Sequence, residues 1–460
     1  MSFNTLLLED AGIQLIDGDR GKNYPTQSHF SNKGFCLFLS AKNVTNNGFE
    51  FSDLVFIDKN HDELLRAGKL QRGDIVVTTR GTIGNVALYS DTVPFEHIRI
   101  NSGMIIFRAD ENIWNRNFLY FLLSSEHIKK QIYSLTSGSA VPQLPARDIK
   151  KFELPKIPKK IQDRIDKIIG DLHFKIHLNN QINQTLESIA QAIFKSWFID
   201  FDPVRAKIVA KQEGQDPELA AMCAISGKSE VEIQQMSDDD FTELQATAAL
   251  FPDELVESEL GEVPKGWELQ QFKDIAKYTS NKISLNDLTL ENYISTENML
   301  SEKKGIEKAS SLPKVNSVPA FKKGNILVSN IRPYFKKIWF SSFEGGHSND
   351  VLNFEVLEEG CEEYLYNLIY QDSFFDQMMA SSKGSKMPRG DKKAIMNFQV
   401  VIPSITLRRL YSRKVRKFYL KQNIIEKENQ ALKIIRDTLL PKLLSGEVNL
   451  AALQCEGAKA

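Results

Sequence analysis

The stretch Asn183-Gln184-Thr185-Leu186-Glu187-Ser188-Ile189 comes back 246 positions later as Asn429-Gln430-Ala431-Leu432-Lys433-Ile434-Ile435. Gly138-Ser139 and Pro142 return as Gly384-Ser385 and Pro388, and Phe152 returns as Phe398, at the same displacement. A constant displacement across separated matches marks an internal tandem duplication, with too few copies for a solenoid. Whatever one copy folds into, the other must fold into as well.

The repeated stretch lies in a long helix. From Pro158 to Phe198, apolar residues recur at Ile161, Ile165, Ile168, Leu172, Ile182, Leu186, Ile189 and Ile193, in alternating steps of four and three. That spacing is a heptad seam, which holds one helix face against a partner helix. Lys175 and Asn179 fall where the seam would otherwise continue, and polar seam residues weaken a helix pair while fixing its register. The second copy, from about Ser404 to Leu444, has Tyr411, Val415, Phe418, Ile425, Leu432 and Leu439 as its seam. Gln422 and Asn429 are its polar breaks and Gly446 its stop. The partner of each helix is therefore expected in the same chain.

A globular part precedes each helix. In the first, Asp17-Gly18-Asp19-Arg20-Gly21 and Asn46-Asn47-Gly48 signal turns. Asp74 to Thr79, after Arg72-Gly73, predicts a buried strand, Arg80 to Asn85 a polar loop and Val86 to Tyr89 the returning strand. Met104 to Phe107 predicts a further strand and Trp114 to Gln131 a helix, so the class is α+β. In the second part, Lys323-Gly324-Asn325-Ile326-Leu327-Val328-Ser329 mirrors Arg72 to Thr78, and Asn330 to Lys337 takes the place of the Arg80 loop. The displacement there is 251, so the copies differ in loop length.

The net charge of −1 conceals a segregation. Between Pro203 and Lys265 there are 14 acidic and five basic residues, a net of −9, which leaves +8 for the remainder. A local basic surface, rather than the total, decides attraction for a polyanion. Cys36, Cys223, Cys361 and Cys455 are far apart with no C-x-x-C, which predicts free thiols in a reducing cytoplasm. No run approaches the length of a membrane span, so no membrane partner is expected.

Motifs for catalysis are mostly missing. Gly68 to Gly73 has the glycine spacing of a phosphate loop, but Asp74-Ile75 stands where Lys-Ser/Thr is required. There is no G-x-G-x-x-G and no Asn/Asp-Pro-Pro-aromatic tetrad. His173 and His177 share a helix face, but Phe174 replaces the glutamate of a zinc-protease helix, so a solvated face is expected. Asp17-Gly18-Asp19 reads as a turn rather than a calcium loop, and Glu302-Lys303-Lys304 as a surface charge cluster. No catalytic or metal-ligating residue is assigned.

Basic and polar loops remain. Lys and Arg neutralise phosphates, while Arg, Asn, Ser and Thr reach base edges. The candidate DNA-binding residues in the first copy are Thr78, Thr79, Arg80, Thr82, Asn85, Arg99, Asn101, Ser137, Ser139 and Arg147. In the second they are Asn330, Arg332, Tyr334, Lys336, Lys337, Ser385, Lys386 and Arg389. Phe194, Trp197 and Phe198 are candidates for docking a partner protein, or equally for packing within the chain.

These features together resemble the specificity subunits (HsdS) of type I restriction-modification systems, over nearly the whole chain. The most specific parts are Gly73-Asp74-Ile75-Val76-Val77 and the run Ile189 to Phe198 followed by Asp200-Phe201-Asp202-Pro203. Gly261 to Trp267 and Leu439-Leu440-Pro441-Lys442-Leu443-Leu444-Ser445-Gly446 complete the set. The resemblance implies two similar mixed α/β target-recognition domains, at 1–155 and 266–402. It also implies two long helices, at 156–202 and 403–446, paired as an antiparallel coiled coil, with an acidic linker at 203–265 and a tail at 447–460. Each domain would read one half of a split double-stranded DNA target, and the helices would set the gap and dock two methyltransferase subunits. Two restriction/translocase subunits are a further partner the resemblance leaves open. S-adenosylmethionine, ATP and magnesium would bind in partner subunits and none in this chain, which would lie in a bacterial or archaeal cytoplasm. Two other readings stay open at this point. A coiled-coil scaffold without a DNA role leaves the duplicated cation clusters without a purpose. A self-sufficient nuclease or methyltransferase lacks its motifs, and an assay of the isolated chain separates it from the rest.

Overall fold

The strand Ile75–Thr78 is buried along its whole length because both faces are covered. Ile75 and Val77 face one apolar core while Val76 faces another, as the two-residue pleat requires. The strand Ile326–Ser329 repeats this, with Ile326 and Val328 in one core and Leu327 in a second. The computed structural model in which this is seen describes residues 3–46, 48–51, 53–136, 143–382, 384, 386–448 and 450. It divides into two units, Met1–Asn180 with Lys427–Ala460 and Gln181–Glu426.

In the first unit an antiparallel four-stranded sheet runs in the order Ile13–Asp17, Met104–Ala109, Ile75–Thr78, Val86–Leu88. Its register places Ile106 opposite both Ile16 and Val76. A three-stranded sheet lies beside it, in which Cys36–Leu39 runs parallel to Ile98–Ile100. The helices Arg116–Leu123 and Glu126–Thr136 cover the larger sheet through Phe118, Leu122 and Ile128. Thr5–Leu7 pairs with Glu153–Pro155 and closes the domain just before the long helix Lys159–Phe198 begins. Gln162 is buried at that helix start. It donates to the carbonyls of Ile113 and Ile157 and accepts from the Asn115 backbone N–H at 2.9 Å.

The second unit repeats the plan. Its four-stranded sheet has the matching order Ala276–Tyr278, Val351–Val356, Ile326–Ser329, Ile338–Phe340. Helices Glu362–Tyr370 and Asp372–Ala380 cover it, and Glu268–Gln271 pairs with Gln399–Ile402 before the second long helix, Ile405–Ser445. The smaller sheet differs, having four strands in place of three. The duplication is thus retained in topology even where few residues match.

Within each unit the long helices pair antiparallel. In the first, Ile165 and Ile169 share a core with Leu440, Leu443 and Leu444, while Asn179 meets Asn429. In the second, Gln422 donates to the Asn183 carbonyl and the Tyr411 hydroxyl to the Ala190 carbonyl. The second helix buries Tyr411, Val415, Ile425 and Asn429 of its expected seam, whereas Phe418, Leu432 and Leu439 are only partly buried and Tyr419 and Leu440 are buried beside them. That of the first is shifted at alternate positions. Ile165 is in the seam, but Ile169, Ile176 and Ala190 are the buried residues, in place of Ile168, Lys175 and Ile189, and Ile189 is exposed. The cause is that this helix also packs on the globular cores beside it, so its buried face faces more than the partner helix. His173 corrects another expectation: it is not on a solvated face. Its ring packs edge-on against Tyr120 and beside Phe121, with centroids 5.8 and 5.7 Å away. His177 is exposed.

The acidic stretch expected as a linker is folded. Helices Asp202–Glu213, Pro217–Ser226, Glu230–Gln234 and Asp238–Ala248 follow one another, then a hairpin of Leu255–Ser258 and Gly261–Pro264. Asp216, Ser229 and Ser237 cap three of the helices, which places acids at helix N-termini where the dipole favours them. Ala221, Met222, Ile233, Leu244 and Ala248 form its own small core. Among the described residues no helix is long and apolar enough to cross a membrane.

Candidate nucleic-acid interface

In each unit the loop after the central strand is tied to the turn before the next strand by an equivalent bond. The Thr79 N–H donates to the Gly103 carbonyl at 2.8 Å, and the Asn330 N–H to the Asp350 carbonyl at 2.8 Å. A third segment closes over each loop. The Leu144 N–H donates to the Thr79 carbonyl in the first unit, and the Arg332 N–H to the Pro388 carbonyl in the second. Leu144 and Gly390 stand at the 246-residue displacement. Two similar three-segment surfaces result, each at one end of a four-stranded sheet.

In the first unit the predicted residues separate into supports and exposed groups. Thr78 is fully buried, and its hydroxyl accepts from the Asn85 N–H and donates to the Thr82 carbonyl, so it pins the loop rather than reading anything. Thr79 is also buried. Asn85 donates through Nδ2 to the Val44 carbonyl, and Asn101 Oδ1 accepts from the Gly103 N–H. Gly18 is required beside Asn101, because a Cβ there would lie 2.2 Å from the Asn101 carbonyl oxygen. Arg99 is a correction: it is buried, paired with Asp62, and its remaining donors reach the Ala67, Asp62 and Leu65 carbonyls. A guanidinium so used is structural and cannot reach DNA. Arg80 and Thr82 are exposed on the loop and Arg147 near the closing segment. Ser137 and Ser139 lie outside the described residues.

In the second unit the loop is strained. Arg332 and Lys336 both have left-handed backbones, with φ of 50° and 49°, flanking a single turn at Pro333–Phe335. Glu302 and Lys303, with φ of 56° and 59°, bond to the carbonyls of Phe335 and Lys336. Non-glycine residues held this way cost about 1–3 kcal/mol each and cluster at functional sites. The turn leaves Tyr334 at its tip, 47% exposed and against Phe335. Lys336 shares Asp372 with Lys303, and those two ammonium groups, Lys303 first, hold the Asp372 carboxyl below its usual range. Lys337 is spent on the Thr296 carbonyl at 2.6 Å, and burial lowers its pKa. Arg389 pairs with Asp350 at 3.1 Å on the surface, and Lys386 is exposed. Ser385 lies outside the described residues.

Some candidates here are placed otherwise than expected, and His347, Ser348 and Asp350 were missed from the sequence. Asn330 was expected to reach outward, but it is 7% exposed and its Oδ1 has no partner among the described residues. The same holds for Arg332 Nε, His347 Nε2 and Ser348 Oγ. His347, Ser348 and Asp350 were not singled out; the run Gly345-Gly346-His347-Ser348-Asn349-Asp350 before a buried strand was the available signal. For Phe194, Trp197 and Phe198 the structure selects packing within the chain over docking of a partner. All three are buried among Tyr364, Tyr411, Phe251 and Trp267, in mostly edge-to-face contact, so they hold the second unit together and are not open to a partner.

A family model described as the type I restriction modification DNA specificity domain matches residues 14–188. The chain is 29% identical over 464 residues to the type I restriction enzyme HindI specificity subunit of Haemophilus influenzae, covering 94% of this chain and 98% of that one. It is 23% identical over 405 residues to the MjaIX specificity subunit of Methanocaldococcus jannaschii, covering 83% and 79%. Among solved structures, the type I S subunit from M. genitalium covers 96% of each chain at 14% identity, with a TM-score of 0.47. The HsdS subunit from Thermoanaerobacter tengcongensis covers 97% of each chain at 13% identity, with a TM-score of 0.33.

Proposed function

Because this chain belongs to the type I restriction-modification DNA specificity family, we propose that each of its two globular parts reads one half of a bipartite double-stranded DNA target. The observation that carries this is the repeated interlock, Thr79 with Gly103 and Asn330 with Asp350, with exposed cations beside each: Arg80 on the first unit's loop, and Lys386 and Arg389 on the second unit's closing segment. Arg80, Arg147, Lys386 and Arg389 provide the phosphate attraction, which is sequence-independent and salt-sensitive. Thr82, Asn101 and Tyr334 are placed for contacts that depend on the bases. The antiparallel helices set the distance between the two readers, and register along DNA makes that distance a property of the target. The buried Asn179–Asn429 pair fixes the helix register.

The chain makes and breaks no bonds in this account. It directs two methyltransferase subunits, and two restriction/translocase subunits where the system has them, to the target. S-adenosylmethionine, ATP and magnesium belong to those subunits, and the assembly works in the cytoplasm. The test is binding of the chain with its methyltransferase partner to duplex DNA across a salt series. Affinity should fall steeply with salt, and Arg80→Ala and Arg389→Ala should each weaken it. Salt-independent binding, or binding unchanged in both variants, refutes the assignment.

A further inference from the structure

Of the five non-glycine residues with left-handed backbones among the described residues, four meet in one place: Glu302, Lys303, Arg332 and Lys336. Two of them flank the turn Pro333–Phe335, and two lie on the segment braced against it. The Glu302 N–H donates to the Phe335 carbonyl at 2.9 Å and the Lys303 N–H to the Lys336 carbonyl at 3.0 Å. Within the turn, Phe335 and Lys336 donate their N–H groups to the Arg332 and Pro333 carbonyls, and the ring of Pro333 fixes its own φ. The Lys337 ammonium ties the end of the loop to the Thr296 carbonyl, and Asp372 binds Lys303 and Lys336 together. The turn is thus held along its length.

The fold does not require a strained turn here. The loop between the same two strands of the first unit, Arg80 to Asn85, takes its left-handed positions at Gly81 and Gly84, with φ of 73° and 89°, and carries no aromatic residue. Glycine adopts that conformation without steric cost. Strain kept where glycine would relieve it points to a function for the shape it imposes. That shape carries Tyr334 at its tip, with nearly half of its surface in solvent. The Phe335 ring backs it, with the two centroids 4.6 Å apart.

The tip stands beside the cations of the closing segment. Ile331 forms a bridge with Arg389, and the Arg332 N–H donates to the Pro388 carbonyl at 2.8 Å. The Arg389 and Lys386 side chains are exposed, so phosphates are drawn to the same place. A mobile loop that entered a duplex would lose its freedom on binding, whereas this one has lost it on folding. Every base has a π-face, so a ring can stack on any of them. Discrimination then comes from the ease with which a step opens, and pyrimidine–purine steps open most readily.

We propose that Tyr334 enters the duplex as a wedge and opens one base step in the half-site read by the second domain, while the first domain's glycine-bearing loop opens none. The second half is thereby read partly through its deformability, with a pyrimidine–purine step favoured where Tyr334 enters. This rests on the reading of the second domain as a DNA reader, and the experiment separates the two.

The full chain is produced with its methyltransferase subunit, and its target is mapped from methylated adenines. Duplexes of that target then carry, at successive positions, a fluorescent adenine analogue that brightens when unstacked. The methylated adenines themselves stay unlabelled, because a methyltransferase extrudes its own target base. Wild type should brighten the probe at one step of the second half and at none of the first. Tyr334→Ala should lose that signal and bind about tenfold more weakly at an unchanged melting temperature. Tyr334→Phe, which keeps the ring, should retain both signal and affinity. The mapped motif of Tyr334→Ala should accept further base steps at that place only. Absence of a Tyr334-dependent signal overturns the proposal. So does a Tyr334→Phe complex that behaves like Tyr334→Ala, because the hydroxyl and not the ring would then be the reader. A Tyr334→Ala chain that no longer holds its methyltransferase subunit also overturns it and makes the tip a protein contact. A wild-type complex with no two-part motif overturns the underlying reading instead.

Discussion

Asn179 and Asn429 face each other across the paired helices at 1% and 0% exposure. Asn179 Nδ2 donates to Asn429 Oδ1 and to Glu428 Oε2, each at 2.9 Å, and Asn429 Nδ2 donates to Asn180 Oδ1 at 2.9 Å. Replacing Asn179 by Leu strips Asn429 Oδ1 of its donor inside an apolar seam. An orphaned buried acceptor costs about 1–3 kcal/mol, against roughly 1.5–3 kcal/mol gained from burying the leucine. Asn179→Leu should therefore fall between stabilising by about 2 kcal/mol and destabilising by about 1.5 kcal/mol. The double change Asn179→Leu with Asn429→Leu removes both amides and should be more stable than either single variant, with a coupling energy of about 0.5–3 kcal/mol. Urea unfolding of all four proteins measures the cycle. The same double variant should methylate less faithfully, at targets whose two halves are separated by more than one spacing, because an apolar seam can slip by a heptad. Single-variant effects that simply add, together with one unchanged spacing in the double variant, would refute the role given to this pair.

Three further outcomes follow from particular residues. Burial, then the Arg436 guanidinium, pushes His173 down to about 4. The unfolded chain protonates near the ordinary histidine value and the folded chain does not, so this stabilisation is full above about pH 6.5 and is lost as pH falls towards 4. It amounts to at most about 3 kcal/mol, and unfolding midpoints from pH 7.5 to 4.5 should fall less steeply in His173→Phe. Arg99→Ala leaves buried Asp62 with Lys69 as its remaining ion-pair partner and should cost about 1–3 kcal/mol, visible as a lower melting temperature, whereas Arg80→Ala should weaken DNA binding with no change in melting. Removing Lys386 should reduce the slope of log affinity against log salt by about 1 and weaken all sequences alike, which a salt titration with specific and random duplexes checks.

What could be read from the sequence was set by pattern and repetition. The constant displacement revealed the two copies, and Ile326-Leu327-Val328 revealed its strand because both faces are apolar. Gln422 and Asn429 were identifiable as polar breaks because the seam around them was otherwise apolar. The first helix was misplaced at Ile168 and Ile189 because it packs on a partner helix and on globular cores at once, and a single heptad template cannot represent two neighbours. The acidic stretch was taken for a linker on its charge, with short helices read only in Ile233 to Leu250, while its caps at Ser229 and Ser237 and its small core of Met222 and Ile233 carried the further folding information. The site was least legible. Exposed Arg80 and buried Arg99 have the same side chain, and only the tertiary position of Asp62 distinguishes them.

The central claim is that paired helices fix the gap between two separate readers. Lengthening both long helices together by one heptad, beside Asn179 and beside Asn429, keeps their pairing while moving the readers apart by about 10 Å. Mapping methylated adenines in cells that carry this variant and its methyltransferase measures the result. The account predicts the same two half-sites with a longer spacer, and an unchanged spacer with full methylation contradicts it.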